Sequence, residues 1–360
     1  MKIKRIIITG SGGTPSTNFI RSLRLSGEKF FIVGVDSSEY YLQRSETDLK
    51  FLVPQANSKN YIPVLKQIIK ETKAEFIYSQ PDQEIYVISK CREKLGVRCF
   101  LPAHKTIEIC QDKLKSYNAW KEHGLDVPQT RLIRDKEDLR KAFRDMAKPL
   151  WLRAIVSPGG GKGSFYTSDY EVAKAWIKHC DGWGSFTASE YLTPETVTWL
   201  SIWNNGELVV AQGRKRLYWE FGNRAPSGVT GLTGTGVTVS DPKVDEIARE
   251  TIFAIDKKPN GIFGVDLTYD KRGVPNPTEI NIGRFFTTHL FFTEAGLNMP
   301  YIFIKTAFGE PIPELKKRIN PLPDGLAWIR GMDFLPILTN VKTIEKYRND
   351  LRKREQKIHG

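Results

Sequence analysis

Cysteine is scarce in this chain, and the spacing of the few cysteines excludes the common metal and disulfide frameworks. The 360 residues contain four cysteines, with no CxxC pair and no histidine at zinc-binding distance: Cys91, Cys99, Cys110 and Cys180. We therefore predict reduced thiols without a metal or redox role, as is typical of a cytosolic protein.

Long apolar runs are also missing, which excludes a membrane-spanning helix of about 20 residues. The basic N-terminus is followed by only three isoleucines, Ile6–Ile8, and then by a glycine-rich turn. This pattern predicts a first β-strand instead of a signal peptide. We expect a soluble protein in the cytoplasm that does not contact a membrane.

Charge of one sign is in excess, since the formal net charge is +13. Residues 341–360 contribute seven Lys/Arg against three Asp/Glu, a net +4, and are predicted to form a basic terminal helix. Such an excess is compatible with nucleic acid, anionic lipid or an anionic small substrate. The sequence contains no nucleic-acid-binding motif, so we do not expect a nucleic-acid partner.

The pattern of apolar residues predicts an α/β protein of several domains, because 360 residues exceed one ordinary core. Strands and helices alternate up to about residue 105. We further expect a strand over Val97–Leu101, one helix over His104–Gly124, a mobile Gly/Thr-rich loop over 220–240 and a closing helix over Ala295–Gly309.

The N-terminal segment has the outline of a dinucleotide-binding unit. A strand leads into Gly10-Ser-Gly12-Gly13-Thr14-Pro15, then a helix, then a strand that ends at Asp36. Proline stands where the fingerprint requires its third glycine. NAD(P)-dependent oxidoreduction at this unit therefore stays open as an alternative function.

A hairpin near residue 270 collects candidate metal ligands. Val265–Tyr269 and Thr278–Ile282 are predicted strands joined by a loop that ends at Gly273. Residues two apart on a strand share a face, so Glu279 and Asn281 point the same way, and Asp266 would lie opposite them. Two carboxylates and an amide oxygen suit Mg²⁺. Two exposed acids on a surface hairpin are the alternative interpretation.

A glycine-rich segment precedes that hairpin in the sequence. Ser157–Gly163 contains Gly159, Gly160, Gly161, Lys162 and Gly163 between two predicted strands. Such loops present backbone N–H groups to phosphate oxygens, although a flexible surface turn has the same composition. Lys113, Arg153 and Lys162 would add positive charge, and Arg153 needs a partner because its strand is otherwise apolar.

Taken in order, these motifs resemble the ATP-grasp superfamily, specifically the single-module relatives of the carbamoyl-phosphate synthase large subunit. Asp112-Lys113 resembles the entry motif, Pro149–Val156 the strand whose cation contacts phosphates, and Gly159–Gly163 the glycine loop. Glu190-Tyr191-Leu192 resembles the hinge that binds adenine through its backbone. Asp266, Glu279 and Asn281 resemble the Mg²⁺ set.

The resemblance implies a Rossmann-like pre-ATP-grasp domain followed by a two-lobed ATP-grasp module. We expect the pre-ATP-grasp domain over 1–105, the small lobe over 106–192, the large lobe over 193–340 and a basic tail over 341–360.

Two departures from the family pattern concern the ribose and the phosphate. The family's ribose-binding glutamate would fall at Thr196, whereas this chain has Glu195 one residue earlier. The terminal motif reads Asn281-Ile-Gly283-Arg284, one residue longer than the usual Asn-x-Arg. We expect Glu195 or Thr196 to meet the ribose, and Arg284 to reach the transferred phosphate.

The activity that the resemblance implies is an ATP-dependent ligation. A substrate carboxylate attacks the γ-phosphate of ATP, and an amine or ammonia then displaces phosphate from the acyl phosphate to give an amide. ATP and Mg²⁺ (or Mn²⁺) are the implied cofactors, and Arg284, Asn281 and Arg153 the implied catalytic residues. Residues 227–236 would be a lid that excludes water, and a homodimer is possible. A non-catalytic nucleotide-binding or nucleic-acid-binding protein remains a second alternative.

Overall fold

The first 100 residues form a four-stranded parallel sheet covered by helices. The computed structural model describes residues 3–156, 163–220, 222–224, 226–228 and 231–359. The sheet has the order β3-β2-β1-β4, with all pairs parallel. Its strands are β1 (Lys4–Ile8), β2 (Phe30–Asp36), β3 (Leu49–Leu52) and β4 (Phe76–Tyr78). Its helices are α1 (Thr14–Arg24), α2 (Glu39–Arg44), α3 (Tyr61–Thr72), α4 (Asp82–Lys90) and α5 (Arg92–Leu95).

Both faces of this sheet are buried, which explains its sequence. Ile6, Ile7 and Ile8 are all fully buried, although successive side chains on a strand point to opposite faces. Parallel sheets with helices on both faces have such continuous apolar strands. The predicted strand over Val97–Leu101 is wrong, since Arg98 forms only an isolated bridge to Phe76 and the neighbouring backbone is irregular.

The linker between the first domain and the small lobe consists of two helices, so the single helix predicted over His104–Gly124 is wrong. The helices are α6 (His104–Gln111) and α7 (Lys113–Glu122). Asp112 has extended backbone between them, and its carboxylate accepts hydrogen bonds from the amides of Leu114 (3.0 Å) and Lys115 (2.9 Å). Aspartate is a preferred N-cap, so the local sequence starts a new helix here. The break makes Lys113 the first residue of α7.

A four-stranded antiparallel sheet forms the small lobe. Its order is β5-β8-β6-β7, and its strands are β5 (Thr130–Ile133), β6 (Leu150–Ala154), β7 (Phe165–Thr167) and β8 (Phe186–Glu190). The helices α8 (Lys136–Asp145) and α9 (Tyr170–His179) pack on it. The buried core of this lobe comes entirely from residues 133–188. It is therefore a packing unit of its own.

A six-stranded sheet forms the large lobe, in the order β13-β12-β9-β10-β11-β14. The strands are β9 (Thr196–Asn204), β10 (Glu207–Glu220), β11 (Leu232–Val239), β12 (Gly261–Tyr269), β13 (Pro275–Ile282) and β14 (Ala327–Ile329). The helices are α10 (Pro242–Phe253), α11 (His289–Glu294) and α12 (Met299–Phe308).

Two predictions for this lobe need correction. Residues 232–239 of the predicted loop are a strand that pairs with β10, because tertiary pairing overrides the weak strand preference of glycine. The predicted closing helix over Ala295–Gly309 begins only at Met299, because the chain first turns at Gly296 in a left-handed conformation (φ 98°).

The first sheet and the large lobe share their apolar cores. Phe19 and Tyr78 from the first domain stack with their ring centroids 3.9 Å apart, and both rings contact Phe285 and Phe303 of the large lobe. A second shared core joins Ile85 to the strand residues around Ile282. The two parts thus form one platform, beside which the small lobe has its separate core.

The terminal helix α13 (Val341–His359) returns to the first domain. Arg354 pairs with Glu71 of α3 at 2.7 Å, and Arg348 pairs with Glu39 of α2. Of the helices in the described part of the chain, none is long and apolar enough to cross a membrane.

Two carboxylates are buried at the carboxyl edge of the first sheet. Asp36 is 5% exposed and accepts hydrogen bonds from the amides of Gly12 (3.0 Å) and Ser38 (2.9 Å). Glu84, on α4, is 4% exposed. Burial, reinforced by the nearby Asp36 carboxylate, raises the pKa of Glu84 to about 7.

We predict that Glu84→Gln stabilises the protein at pH 8 and stabilises it much less at pH 5. An unfolded glutamate has a pKa of about 4.3, so between that pH and about 7 the folded state binds more protons than the unfolded state. Stability due to Glu84 is therefore present at low pH and is lost as the pH rises through the folded pKa. Glutamine cannot ionise, so it removes a penalty on the order of 3 kcal/mol at pH 8.

Urea unfolding of both proteins at pH 5 and pH 8 measures this difference. Glu93→Gln is the matched control, because Glu93 is exposed on the adjacent helix α5. An equal change in unfolding free energy at the two pH values would contradict the prediction.

Candidate functional site

The acidic hairpin forms as the sequence predicts. Asp266 on β12 pairs directly with Glu279 on β13, and a register shift follows between Asp266 and Leu267. Asn281 donates from Nδ2 to Asp266 Oδ2 at 2.9 Å. The three side chains that were predicted as metal ligands therefore lie together at one place on the large sheet.

Thr198 is a site residue that the sequence analysis missed. It lies on β9 opposite Asp266, and its hydroxyl donates to Asp266 Oδ1 at 2.5 Å. The same hydroxyl accepts a hydrogen bond from Arg214 Nη2 at 2.8 Å. A threonine in an apolar strand gives no sequence signal for this contact, because only the β9–β12 register brings the two residues together.

Glu279 faces cations from two other parts of the fold. Lys113 Nζ lies 3.8 Å from Glu279 Oε1, and Arg153 Nη1 lies 4.0 Å from Oε2. Burial alone would raise the pKa of Glu279, but Lys113, Arg153 and Arg284 together lower it. The carboxylate is therefore held in its charged form.

The position of Lys113 and Arg153 follows from local structure. The amide of Lys113 donates to the carbonyl of Ile155 at 3.0 Å, which ties the start of α7 to the end of β6. Arg153 donates from Nη2 to the carbonyl of Thr278 at 2.8 Å, so the small lobe contacts the acidic hairpin. Its Nε is buried without a hydrogen-bond partner among the described residues, which is costly unless a ligand supplies one.

Arg284 reaches the acidic site despite the extra residue in its motif. Gly283 has a left-handed backbone (φ 70°), and its amide donates to the carbonyl of Ile262 at 2.8 Å. The resulting turn brings Arg284 Nη2 to 2.7 Å from Asn281 Oδ1. The one-residue insertion is thus absorbed by a glycine that can take this conformation.

Two further arginines, both on β10, lie near Asp266. Arg214 is 1% exposed, and its described hydrogen-bond partners are the hydroxyls of Thr233 and Thr198. Burial, together with the neighbouring Arg216, lowers the pKa of Arg214 to about 9. Arg216 binds the hydroxyls of Thr233 and Thr196 at 2.9 Å each and stacks on Trp219, with its Cζ 3.6 Å from the ring centroid. No carboxylate in the described part of the chain pairs directly with either arginine.

A cavity of about 190 Å³ opens between the lobes next to these groups. The predicted hinge residues Glu190, Tyr191 and Leu192 line it, as do Lys113, Arg153, Asp266 and Glu279. Much of the remaining wall is aromatic, from residues that the sequence analysis did not single out: Tyr117, Trp120, Trp151 and Trp219. The cavity wall therefore combines aromatic and charged side chains.

Of the two residues considered for the ribose, Thr196 lines the cavity. The Glu195 carboxylate accepts a hydrogen bond from Lys215 at 2.7 Å on the exposed surface. Gly163 adopts a left-handed conformation (φ 81°) at the start of β7. The predicted phosphate loop residues Gly159, Gly160, Gly161 and Lys162 lie outside the described residues.

Comparison with known proteins bears on the fold of the chain. Residues 6–100 match the family described as the PylC-like, N-terminal domain. An L-amino acid ligase from Bacillus licheniformis superposes with a TM-score of 0.66 at 12% identity, over 85% of this chain and 74% of the ligase. The N5-carboxyaminoimidazole synthetase from Staphylococcus aureus, complexed with ADP, has a TM-score of 0.67 at 16% identity, over 87% and 79% of the two chains.

A third structure is the biotin carboxylase domain of Hydrogenobacter thermophilus 2-oxoglutarate carboxylase, in complex with MgADP, ADP and bicarbonate. Its TM-score is 0.68 at 16% identity, over 91% of this chain and 74% of that chain. The chain has the ATP-grasp fold. The predicted fold class is confirmed, and at identities this low the likeness establishes the fold alone.

Within the ATP-grasp fold, the cavity is lined by residues of the linker, the small lobe and the large lobe. Beside it, Arg284 of the large lobe contacts the first domain. The Oδ1 of Asp82 on α4 accepts a hydrogen bond from Arg284 Nε at 2.6 Å. His289, at the start of α11, is fully buried among aromatic rings, and burial lowers its pKa to about 4.

We predict that Gly283→Ala destabilises the protein more than Gly273→Ala. Both glycines have left-handed backbones (φ 70° and 75°), which cost alanine about 1–2 kcal/mol. A Cβ at Gly283 would also lie 3.1 Å from Leu101 and 3.2 Å from Ile85, whereas one at Gly273 would meet no atom within 4 Å. We expect the crowding to add at least about 1 kcal/mol.

Urea unfolding of the two variants and the wild type tests this difference, with Gly273→Ala as the matched control for the backbone term. Equal losses of unfolding free energy would show that the turn at Gly283 is not packed as described.

Proposed function

We propose that this protein is an ATP- and Mg²⁺-dependent ligase that joins a carboxylate to an amine or ammonia and releases ADP and phosphate. The observation that carries the proposal is the site itself. Asp266, Glu279 and Asn281 lie beside the cations Lys113, Arg153 and Arg284. Four of these residues, Lys113, Arg153, Asp266 and Glu279, line a cavity that also has aromatic walls. The ADP and MgADP complexes of two structural neighbours support the nucleotide assignment.

The donor set fits Mg²⁺. Two carboxylates and one amide oxygen are hard ligands that this ion accepts, with water and phosphate oxygens to complete its shell. No group of three or more His, Cys, Asp or Glu side chains suited to a metal occurs in the described ranges, so Asn281 is needed as the third protein donor. Asp266, Glu279 and Asn281 would hold the ion, which when bound neutralises phosphate charge.

The cations of the chain would act on the phosphates. Lys113 and Arg153 lie within 4.0 Å of the Glu279 carboxylate, at the place where nucleotide phosphates would meet the acidic hairpin. Arg153 keeps an unpartnered Nε, and Arg284 keeps Nη1 free of any described acceptor. Catalysis of phosphoryl transfer rests mainly on such positioning and charge neutralisation.

The reaction has two steps that need no further protein nucleophile. The substrate carboxylate attacks the γ-phosphorus, which breaks the bond to ADP and forms an acyl phosphate. The amine then attacks the acyl carbon, phosphate leaves, and the amine loses a proton. Because the small lobe has its own core, it can close over the cavity and exclude the water that would hydrolyse the acyl phosphate.

The adenine would lie between the hinge and the aromatic side chains of the cavity. Tyr191 and Leu192 follow β8 at the hinge, and Trp151 and Trp219 line the same space. Backbone groups of the hinge would read the base edge, and aromatic faces would contact the ring. Thr196 lines the cavity and Glu195 does not, which favours Thr196 as the residue that would contact the ribose.

The structure argues against the dinucleotide alternative. A Cβ at Gly12 would lie 1.7 Å from the carbonyl oxygen of Tyr41, and one at Gly10 would lie 2.5 Å from Pro81. These glycines therefore accommodate the protein's own chain where a pyrophosphate would need to approach. Asp36, the candidate ribose ligand, already accepts hydrogen bonds from the amides of Gly12 and Ser38.

Thermal unfolding with MgATP, NADH and NADPH tests the proposal. MgATP is expected to raise the unfolding temperature, and the nicotinamide nucleotides are expected to leave it unchanged, because a ligand stabilises only the state that binds it. Stabilisation by NADH or NADPH alone would reject the ligase assignment. Screening of carboxylic acids paired with amines for ADP release would then distinguish a ligase from a non-catalytic nucleotide-binding protein.

We predict that Glu279→Gln lowers substrate-dependent ADP release by at least about a hundredfold while the protein stays folded. The change keeps the size of the side chain but removes a charge that the metal requires. Glu207→Gln is the control, because Glu207 is exposed at the far end of β10. Full activity of Glu279→Gln, measured at saturating Mg²⁺, would reject the metal assignment.

A further inference from the structure

Asp82 of the first domain forms a two-point ion pair with Arg284 of the large lobe. Asp82 Oδ1 accepts from Arg284 Nε at 2.6 Å, and Oδ2 accepts from Nη2 at 3.3 Å. The two side chains are 25% and 17% exposed. This two-point contact joins residues that are 202 positions apart in the sequence.

The carboxylate that makes this contact is itself held in place. Asp82 is the first residue of α4, and its carbonyl accepts a hydrogen bond from Gln111 Nε2 at 2.8 Å. Next to it, Gln80 Nε2 donates to the carbonyl of Phe285 at 3.1 Å, and the Phe285 amide donates to the hydroxyl of Tyr78 at 3.1 Å. The residues flanking both partners are thus hydrogen-bonded across the domain boundary.

The contacts leave one nitrogen of the guanidinium available. Nε and Nη2 bind Asp82, and Nη2 also donates to Asn281 Oδ1 at 2.7 Å. Within the described ranges, no residue accepts a hydrogen bond from Nη1. A planar guanidinium held at two nitrogens has a fixed direction for its third, which a single ion pair would not achieve.

We propose that Asp82 is a positioning residue, which orients Arg284 so that its remaining nitrogen binds the transferred phosphate. This inference rests on the proposed function, since it assumes that a γ-phosphate binds beside Glu279 and Asn281, next to Arg284. The first domain would then contribute to catalysis through Asp82 without binding a ligand itself. The shared cores around Phe285 and Ile282 fix the position of α4 relative to the turn that carries Arg284.

The test compares two nucleotides that differ in the γ-phosphate. Calorimetry measures binding of MgADP and of the Mg²⁺ complex of the non-hydrolysable analogue AMPPNP. Asp82→Asn keeps the shape of the side chain but loses its charge. It is expected to lower the affinity for Mg–AMPPNP about tenfold and to change the affinity for MgADP by less than about twofold. A merely structural defect would weaken both nucleotides equally.

The control removes a similar ion pair from the same domain. Arg21 donates to Glu46 from Nε at 3.0 Å and from Nη2 at 2.6 Å, on an exposed surface away from the cavity. Glu46→Gln is expected to change neither affinity. If Asp82→Asn does not fold, Arg284→Lys tests the same geometry, because lysine keeps the charge but cannot make the two-point contact.

A double-mutant cycle shows whether Asp82 acts through Arg284. Arg284→Ala should weaken Mg–AMPPNP selectively, and adding Asp82→Asn to it should cause less than about a twofold further loss. Additive losses, or wild-type affinity of Asp82→Asn for both nucleotides, would overturn the inference and leave the ATP site in place. Failure of the wild type to bind either nucleotide would reject the proposed function and the inference with it.

Discussion

The site depends on compensation of two like charges that the sheet places side by side. Asp266 and Glu279 are directly opposed on β12 and β13, and like charges in such a pair are destabilising. The structure offsets this with Lys113 from the linker, Arg153 from the small lobe and Arg284 from the turn after β13. Each cation comes from a different part of the chain, so the charge balance of one hairpin requires the whole fold. A bound metal and its phosphates would replace part of this balance.

The distribution of apolar cores explains how the acidic site can be held rigidly while the cavity beside it can open. The first domain and the large lobe are joined by shared cores, which fix Arg284, Asn281 and Asp266 on one body. The small lobe has a separate apolar core, and it contributes Arg153 and the hinge to the cavity. Motion between these bodies would move Arg153 and the hinge without disturbing the geometry of the acids.

Much of this was accessible from the sequence, and the failures have definable causes. The hairpin whose loop ends at Gly273 forms as predicted, because turn residues and alternating patterns are local signals. The helix over 104–124 was predicted without the break because its apolar spacing continues through the cap at Asp112. Residues 232–239 were predicted as a loop because glycine and threonine give little local preference, and pairing with β10 decides their state.

The sequence by itself determined which chemistry the chain carries. Asp266, Glu279, Asn281 and Arg284 occur at spacings that a strand and a turn convert into one cluster, since neighbours along a hairpin are set by local geometry. Only the tertiary structure decided the partners of that cluster. Thr198 meets Asp266 through strand register, and Asp82 meets Arg284 through packing of the first domain on the large lobe. The first contact joins residues that are 68 positions apart in the sequence, and the second joins residues that are 202 positions apart. Such contacts depend on how whole elements pack, and no local sequence pattern encodes them.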